Sequence, residues 1–389
     1  MYFRMRQKLF LLKEMKHNIG AVITSVLALV CLSCESSNGN LPTLLPEDAP
    51  AITDLSLLID SIEKISFSDS LGDVIAPLQK IITLPSGDFL TLDNRKNVFI
   101  YSMDGVQKRR IGRTGRGPGE YIALQDIAFN PDSETINLLC LNKVIEYDLL
   151  GQHLSSFKLP KYNYDAIVPF NDHFWLFVAA PNHSIEDLKQ MHKTVHYYSK
   201  ERRDVTKTII PRKDYIINTE LISYSASFGY YLRPLEGENI LYRIANTRPE
   251  RTCRVSFGKQ QVPKKSLLRN GKYDIGNYIM SSYYKMPMDF QFTSDLFAFE
   301  AIGPEGVLSY YLYKNDLTPI GFWREPKDCL SPVKIVSSDS RFIYFLINEP
   351  QYWRNKDINS VDPLMKMIIS NFTLEEDCPI LFKVHFKSI

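Results

Sequence analysis

The chain has 389 residues, with 46 Lys and Arg against 44 Asp and Glu, which gives a formal charge of +2. Apolar residues make up 44% of the chain and charged residues 23%, and this composition excludes a disordered or collagen-like protein. The near balance of charges gives no indication of nucleic-acid binding, and the 22 Tyr and 22 Phe favour strands over helices.

The N-terminal segment has the pattern of an export signal. Residues 1–16 carry five basic side chains and one acidic one, and residues 19–32 form a mostly apolar run. This run is shorter than the roughly 20 residues that span a bilayer, so it indicates a cleaved signal peptide over residues 1–33. Met15 is an alternative start to Met1, because a signal that begins there is more compact.

Cys34 directly follows the apolar run and precedes a polar stretch. This junction resembles the lipobox of bacterial lipoproteins, in which the cysteine is acylated and becomes the new N-terminus; Cys31 and Leu32 depart from the usual pattern. The alternative is a plain signal peptide with an incidental cysteine. We predict lipid attachment at Cys34, contact with the membrane through this anchor, a tether over residues 34–50 and a location in the cell envelope. The outer membrane is the expected membrane, with the protein on its periplasmic or its surface face.

Removal of residues 1–33 leaves 41 basic against 43 acidic residues, which argues further against a nucleic-acid partner. The later cysteines show no metal-binding spacing, and their pairing is left open among three arrangements. These residues are Cys140, Cys253, Cys329 and Cys378.

Short apolar and aromatic runs alternate with turn residues through most of the remaining chain, which is typical of strands. The clearest predicted strands are 80–83, 89–92, 98–101, 136–141, 144–147, 174–178, 240–244, 309–313 and 342–346. Helical periodicity is confined to residues 184–191 and, more weakly, 360–370.

An internal repeat points to one fold. Residues 100–105 match residues 146–151, and each copy is a strand that ends in an aromatic residue before a glycine turn. The aromatic marks of the repeat are Tyr101, Tyr147, Tyr198, Tyr242, Tyr313 and Phe382. Their spacing predicts an all-β protein over residues 51–389, a six-bladed β-propeller with four-stranded antiparallel blades. An N-terminal strand such as 55–59 or 64–67 would complete the last blade, and a pair of β-sandwiches is the alternative.

Residues 84–88, Asp93 and residues 111–121 together resemble the signature of the six-bladed β-propeller lipoproteins of Bacteroides-type bacteria. Further segments are similar to the third and fourth blades of that family: residues 231–234, 240–244 and 257–259. The resemblance covers roughly residues 60–350. It implies an envelope lipoprotein whose propeller is NHL-like in shape, and it transfers no catalytic residue.

Residues 112–120 contain four glycines and two arginines. Backbone N–H groups and guanidinium groups both suit anions, so we predict a ligand-binding loop at the channel mouth, with Arg113, Arg116 and Glu120 as its polar residues. The segment is not a Walker loop, because no Gly-Lys-Ser/Thr follows it. The structural alternative is a crossover between blades in which an arginine pairs with Glu120.

No catalytic residue, cofactor or metal site is predicted. His192 and His196 are four residues apart, but such positions in a strand lie about 13 Å apart, too far for one ion. No Gly-x-Ser-x-Gly elbow occurs. Tryptophans and tyrosine pairs, among them Trp175, are assigned to the core rather than to ligand stacking.

These observations favour a non-enzymatic propeller that binds a glycan, a peptide or an envelope protein. The alternative is a metal-dependent hydrolase or lyase that acts on glycan or peptide substrates through the propeller channel. The concave face of a propeller suits either function, and the absence of a local catalytic motif favours binding.

Overall fold

The computed structural model describes residues 41–70, 72, 75–159, 164–169, 173–179, 193–211, 222–234, 239–245, 248–263, 268–269, 272–273 and 281–387. The predicted signal peptide, Cys34 and the helix predicted over residues 184–191 lie outside them. In the described part of the chain, no helix has both the length and the apolar character needed to cross a membrane.

Four antiparallel sheets of four strands each form blades 1, 2, 3 and 5. Blade 1 consists of Leu78–Thr83, Phe89–Asp93, Val98–Tyr101 and Gln107–Arg110. Blade 2 consists of Leu124–Asn130, Thr135–Cys140, Lys143–Asp148 and His153–Lys158. Blade 3 consists of Tyr164–Pro169, Phe174–Ala179, Lys193–Ser199 and Asp204–Pro211. Blade 5 consists of Lys285–Phe292, Leu296–Ile302, Leu308–Lys314 and Pro319–Arg324.

A nine-stranded sheet contains the other two blades. Blade 4 consists of Ile222–Ser225, Gly229–Leu232, Ile240–Ala245 and Arg248–Val255. Blade 6 consists of Lys334–Ser338, Phe342–Ile347, Ile380–Phe386 and the N-terminal strand Ile59–Ser66. One parallel bridge between Ser225 and Ser338 joins the two blades. The fold class predicted from the sequence is therefore confirmed.

The ring closes through the N-terminal strand of blade 6. Ile59–Ser66 pairs antiparallel with Ile380–Phe386, with Lys64 opposite Phe382. This pairing confirms the predicted closure by an N-terminal strand. The strand covers residues 59–66, between and partly within the two predicted segments 55–59 and 64–67. Closure of this kind pairs the edge of the third strand of blade 6 and ties the N-terminal part of the chain to its C-terminal part.

The six aromatic marks of the repeat occupy equivalent places in the fold. Each lies in the third strand of its blade and is buried: Tyr101, Tyr147, Tyr198, Tyr242, Tyr313 and Phe382. In the first five blades the pairing register between the third and fourth strands shifts immediately before this residue. Such bulges increase the local twist. The aromatic residue of the repeat therefore marks the place where the fourth strand of the blade twists relative to the third.

The aromatic residues form the core, as predicted. Trp175, Trp323 and Trp353 are no more than 2% exposed. Trp175 stacks on Tyr198 with ring centroids 5.9 Å apart, and its Nε1 atom donates a hydrogen bond to a side chain of blade 2. These rings therefore pack between neighbouring strands and blades and are not presented to a ligand.

An N-terminal belt, residues 43–68, runs along the outer edges of four successive blades. Thr43–Leu44 pairs in parallel with the outer strand of blade 4, and Ala51 bridges the outer strand of blade 5. Ile59–Ser66 is the outer strand of blade 6, and Ser68 bridges the chain beside the outer strand of blade 1. The belt covers edges that would otherwise be open for pairing with another chain.

The belt corrects one predicted boundary. The sequence suggested a loose tether as far as residue 50, whereas the packed unit begins at Pro42. Leu44 is fully buried, and Arg254 N donates to Pro42 O at 2.9 Å. Prolines are common in linkers, but the prolines of residues 42–50 alternate with residues that dock on the blade edges.

Two helices lie between the second and third strands of blade 6: α1, Pro350–Trp353, and α2, Pro363–Asn371. Helix α2 confirms the helix predicted near residues 360–370. It begins at Pro363 because Asp362 caps it, with its carboxylate accepting hydrogen bonds from Leu364 N and Met365 N. The other short strands are Arg113–Thr114, Glu120–Tyr121, Leu268–Arg269 and Lys272–Tyr273. The 3-10 turns are Pro46–Asp48, Gly258–Gln260, Pro304–Gly306 and Ile358–Ser360.

Candidate functional site

The first strands of the blades converge at their ends and close the central channel there. The residues of this channel seal are buried and polar: Thr83, Ser225, Gln291, Ser337 and Ser338. Ser338 Oγ donates to Gln291 Oε1 at 2.9 Å, and the hydroxyls of Thr83 and Ser337 are 2.9 Å apart. Hydrogen bonds among the seal residues compensate for their removal from water.

Contacts that pass over an intervening blade show how tight this closure is. Ser225 in blade 4 bridges Ser338 in blade 6 and also donates from Oγ to Phe292 O in blade 5 at 3.0 Å. The hydroxyl of Tyr230 in blade 4 donates to Phe129 O in blade 2 at 2.7 Å and accepts from Phe129 N at 2.9 Å. Protein atoms therefore fill this end of the channel.

Charged residues lie on the other side of the seal. Lys80, Asp289 and Lys334 precede the seal residues of their own strands by two to four positions, which is roughly 7–13 Å at 3.3 Å per residue. Asp126 lies three residues before Phe129, and Arg233 follows the second strand of blade 4 at the end away from the seal. We call the part of the channel bounded by Lys80, Asp126, Arg233, Asp289 and Lys334 the funnel.

One side of the funnel is held by a buried ion pair. Lys80 Nζ lies 2.7 Å from Asp126 Oδ1, and their side chains are 7% and 8% exposed. Asp126 Oδ2 also accepts from Ile167 N at 3.0 Å, so this carboxylate connects blades 1, 2 and 3. A buried charge pair of this kind is sustained by such additional hydrogen bonds.

Asp289 has the least ordinary backbone in the funnel. Its φ is +52°, and the register of the first strand of blade 5 shifts between Met288 and Gln291. A left-handed conformation inside a bulge re-aims a side chain and is typical of functional positions. Burial raises the pKa of Asp289 to about 6, while Lys334 and Arg233 act in the opposite direction.

A second carboxyl group lies behind Asp289. Glu300, on the second strand of blade 5, is buried, and its Oε1 atom accepts a hydrogen bond from Ile335 N in blade 6. Burial first, and then the nearby Asp289, raise the pKa of Glu300 well above its ordinary value. Burial therefore favours the neutral form of Glu300, and Asp289 can exchange a proton near pH 6.

The glycine-rich loop forms its own ion pair. Arg113 Nε donates to Glu120 Oε1 at 2.8 Å, and Gly117 N donates to Glu120 Oε2 at 2.7 Å. The hydrogen bond from Gly117, followed by that from Arg113, lowers the pKa of Glu120. Arg116 is exposed. The structure thus brings Arg113 and Glu120 together as in the structural alternative, and ligand binding by this loop stays a prediction.

The contacts of this loop lie with the outer strands of blade 2 rather than with first strands. Tyr147 donates to Gly119 O, and Lys143 Nζ donates to Glu120 O at 2.7 Å. Gly112 has φ +59°, and a β-carbon there would meet the Tyr147 hydroxyl. The described contacts therefore do not support the predicted position at the channel mouth, since the glycines serve close packing between blades 1 and 2.

The remaining chemical candidates are placed as follows. His196 is buried with its Nδ1 atom 3.2 Å from the Tyr164 hydroxyl, and His192 lies outside the described residues. Cys140 is a buried free thiol, and burial raises its pKa to about 12. Among the residues that the structure describes, no three His, Cys, Asp or Glu side chains are grouped to hold a metal ion.

Sequence reasoning missed the funnel. Its charged residues come from five blades and carry no local motif. The available signal was Asp289, an acid between Met288 and Phe290 in a mostly apolar strand, because an acidic residue is seldom placed in a buried strand without a role.

A closed ring of six four-stranded blades with a sealed channel defines a six-bladed β-propeller. A family model described as a 6-bladed beta-propeller, DUF5128, matches residues 75–296, more than half of the chain. The chain therefore belongs to this family. No curated protein sequence matches it.

Solved structures from Bacteroides share the fold. A candidate exported protein of Bacteroides fragilis is 16% identical, with a TM-score of 0.71 over 89% of this chain and 99% of its own. A member of the DUF4221 family from Bacteroides vulgatus is 11% identical, with a TM-score of 0.51 over 85% of this chain and 98% of its own. At these identities the likeness concerns the fold alone.

Proposed function

We propose that this protein is an exported, lipid-anchored propeller that binds a ligand in the funnel without transforming it. The observation that carries the proposal is Asp289, an acid with positive φ inside a bulge, whose pKa is influenced by the charges of Lys334 and Arg233. The seal gives the funnel a floor, so a ligand that enters it meets several blades at once. Concave sites with a few convergent polar groups are the usual place for ligands.

A thermal-shift panel on the chain from Glu35 onward tests this proposal. The panel contains oligosaccharides, peptides, divalent metals and EDTA. A ligand at 100 times its Kd adds about 2.7 kcal/mol to stability, which raises the melting temperature. We expect a glycan or peptide to raise it in the wild type and not in Lys334→Met, which removes an exposed charge of the funnel. Lys259→Met, at an exposed position outside the funnel, is the matched control.

An equal rise in both variants would place the ligand elsewhere. If no glycan or peptide produces a shift, an envelope protein becomes the partner to test, by capture from membrane extracts with the same two variants.

A second function, hydrolysis or elimination on glycan or peptide substrates with the help of a metal, is favoured by one observation. The carboxyl groups of Asp289 and Glu300 are close enough to influence each other, and burial raises the pKa of Asp289 to about 6, a range that suits proton transfer. The positive charges of Arg233 and Lys334 disfavour a cation at this place. A fall in melting temperature with EDTA, reversed by a divalent metal, would support the enzyme.

The envelope location rests on Cys34. Labelling of cells with radioactive palmitate should mark the wild-type protein and not Cys34→Ser. Label that persists in Cys34→Ser would refute lipid attachment at this residue.

A further inference from the structure

The belt enters the fold at the outer edge of blade 4. Thr43 pairs with Arg254, and Arg254 N donates to Pro42 O at 2.9 Å. Ser256 N donates to Leu44 O at 3.0 Å, and Leu44 is fully buried. These contacts fix the start of the belt on this edge, so the chain that precedes Pro42 joins the propeller at blade 4.

The segment between Cys34 and Pro42 is short. Eight residue steps separate the two residues. An extended chain covers at most about 3.6 Å per residue, so their Cα atoms lie within roughly 29 Å of each other. An acyl group on Cys34 inserts into the lipid bilayer. Lipid attachment at Cys34 would therefore hold the membrane surface near the outer edge of blade 4, whatever the conformation of the intervening residues.

Two arginines on the outer strand of blade 4 share one face of the blade. Arg254 lies opposite Ile240 in the pairing with the third strand. Arg251 lies opposite Tyr242, because a register shift takes up the extra residue. Ile240 and Tyr242 are two positions apart, so the arginines opposite them lie on the same face, about 7 Å apart along the strand. Glu250, the acid of this strand, directly precedes Arg251 and therefore lies on the other face.

Both arginines are exposed, and within the described residues neither side chain has an ion-pair or hydrogen-bond partner. Glu47, an acid of the belt, lies against Gly258, beyond the end of the strand. Neighbouring guanidinium groups without a counter-ion repel each other, and each can bind a phosphate through two parallel hydrogen bonds. This edge thus presents cations that suit the phosphates of phospholipid head groups.

We propose that the outer edge of blade 4 faces the membrane and that Arg251 and Arg254 bind phospholipid phosphates there. This inference rests on the proposed lipid attachment at Cys34 and adds the surface that meets the bilayer. Blade 1 lies opposite blade 4 in a ring of six blades, so it is turned away from the membrane. The channel then runs parallel to the bilayer, and a soluble ligand reaches the funnel without crossing lipid.

Energy transfer to the membrane surface tests this orientation. The lipidated protein, purified from membranes, is reconstituted into vesicles of phosphatidylethanolamine and phosphatidylglycerol that contain a rhodamine-labelled lipid. A donor dye is attached at Gln260→Cys, directly after the outer strand of blade 4, or at Met103→Cys, in a turn of blade 1. Both positions are exposed. Cys329 and Cys378 are replaced by serine, because they are only half-buried, whereas the other described cysteines are buried.

Transfer should be at least two-fold more efficient from position 260 than from position 103. In Arg251→Gln/Arg254→Gln this difference should shrink by at least half, because only the tether then orients the propeller. Arg95→Gln/Arg202→Gln is the matched control, since it removes two exposed arginines of blades 1 and 3 and should keep the difference. In the wild type, a rise from about 0.05 M to about 0.5 M KCl should also reduce the difference, because salt screens exposed charges.

Three results would overturn the inference, each for a different reason. Equal transfer from the two positions in anchored wild-type protein would refute the membrane-facing edge and leave the lipid anchor and the funnel intact. A difference that persists in Arg251→Gln/Arg254→Gln and in high salt would refute the contact with phosphates. A protein that carries no lipid and does not enter the vesicles would refute attachment at Cys34 and, with it, this inference.

Discussion

The hydroxyl group of Tyr310 lies against two oxygen atoms, Glu325 Oε1 and the carbonyl oxygen of Val333. The hydroxyl donates to Glu325 Oε1, and this hydrogen bond lowers the pKa of Glu325. Burial is the larger cause and raises the pKa of Glu325 above its ordinary value.

A second buried carboxyl group lies near Glu325, between blades 5 and 6. Asp362, the cap of α2, is buried, and burial followed by the nearby Glu325 raises its pKa to about 7. A carboxyl group whose folded pKa is raised holds a proton that the unfolded chain has released above its ordinary pKa, about 4. Stability from these groups is therefore present in acid and lost as the pH rises through the folded pKa.

We expect the free energy of unfolding to fall as the pH rises from about 4 to about 7, the window set by the ordinary carboxyl pKa and the folded pKa of Asp362. Glu325→Gln keeps a neutral group of the same shape, so the decline should be shallower in this variant. Urea unfolding at several pH values measures it, with Glu375→Gln, at an exposed position, as control. A pH dependence that is the same in all three proteins would contradict a raised pKa of Glu325.

Lys80 supplies a second prediction at this scale. Lys80→Met leaves the Asp126 carboxylate buried without its cation. Loss of one partner of a buried pair costs about 3–5 kcal/mol. The melting temperature should fall by several degrees more than in Lys108→Met, a half-exposed lysine whose pair with Asp88 lies at the surface. An equal fall in melting temperature in the two variants would show that the buried pair stabilises the protein no more than the surface pair does.

Among the elements, the third strands were the most predictable, because a buried aromatic residue recurs at the same place in each of them. The belt was not predictable, since its contacts with the blade edges are made by backbone atoms and leave no side-chain pattern. One residue that reflects the belt contact is Gly321, on the outer strand of blade 5. A β-carbon at Gly321 would lie 2.8 Å from Pro50 O and closer still to the Ile52 side chain.

Gly321→Ala should therefore push the belt from the edge of blade 5. We expect a loss of about 1–3 kcal/mol, the usual cost of overpacking, and faster proteolysis near residues 50–52. In an Ile52→Ala background the same substitution should cost less, because the nearest atoms of the clash are gone. An unchanged cost in the two backgrounds would show that Ile52 is not the residue in the way.

At the scale of the whole molecule, closure of the ring depends on the pairing of an N-terminal and a C-terminal strand. Glu63 lies opposite Lys383 in this pairing. A disulfide between cysteines at these two positions would close almost the entire ring and restrict the unfolded chain. We expect Glu63→Cys/Lys383→Cys to melt at a higher temperature when oxidised than when reduced, by up to about 5 kcal/mol of stability. The single variants should show no difference, and a bond that forms without stabilising the protein would contradict closure through these strands.

The fold could be predicted from the sequence because a propeller repeats a local pattern six times. The funnel could not, because Lys80, Arg233, Asp289 and Lys334 meet only when the ring closes, and each is an ordinary charged residue in its own segment. The glycine-rich loop attracted attention because it is unusual in sequence. Its glycines are explained by close packing against Tyr147, and its Glu120 already has a partner in Arg113.

One measurement decides most directly whether the ligand binds in the funnel or at the glycine-rich loop. It is a titration of the first stabilising ligand against the wild type, Lys334→Met and Arg116→Ala. Both substitutions remove an exposed positive charge, so a change in fold explains neither result. We predict that Lys334→Met weakens binding by at least ten-fold and that Arg116→Ala binds as the wild type does. The reverse pattern, with binding lost in Arg116→Ala and kept in Lys334→Met, would move the site to the loop between blades 1 and 2 and contradict the funnel.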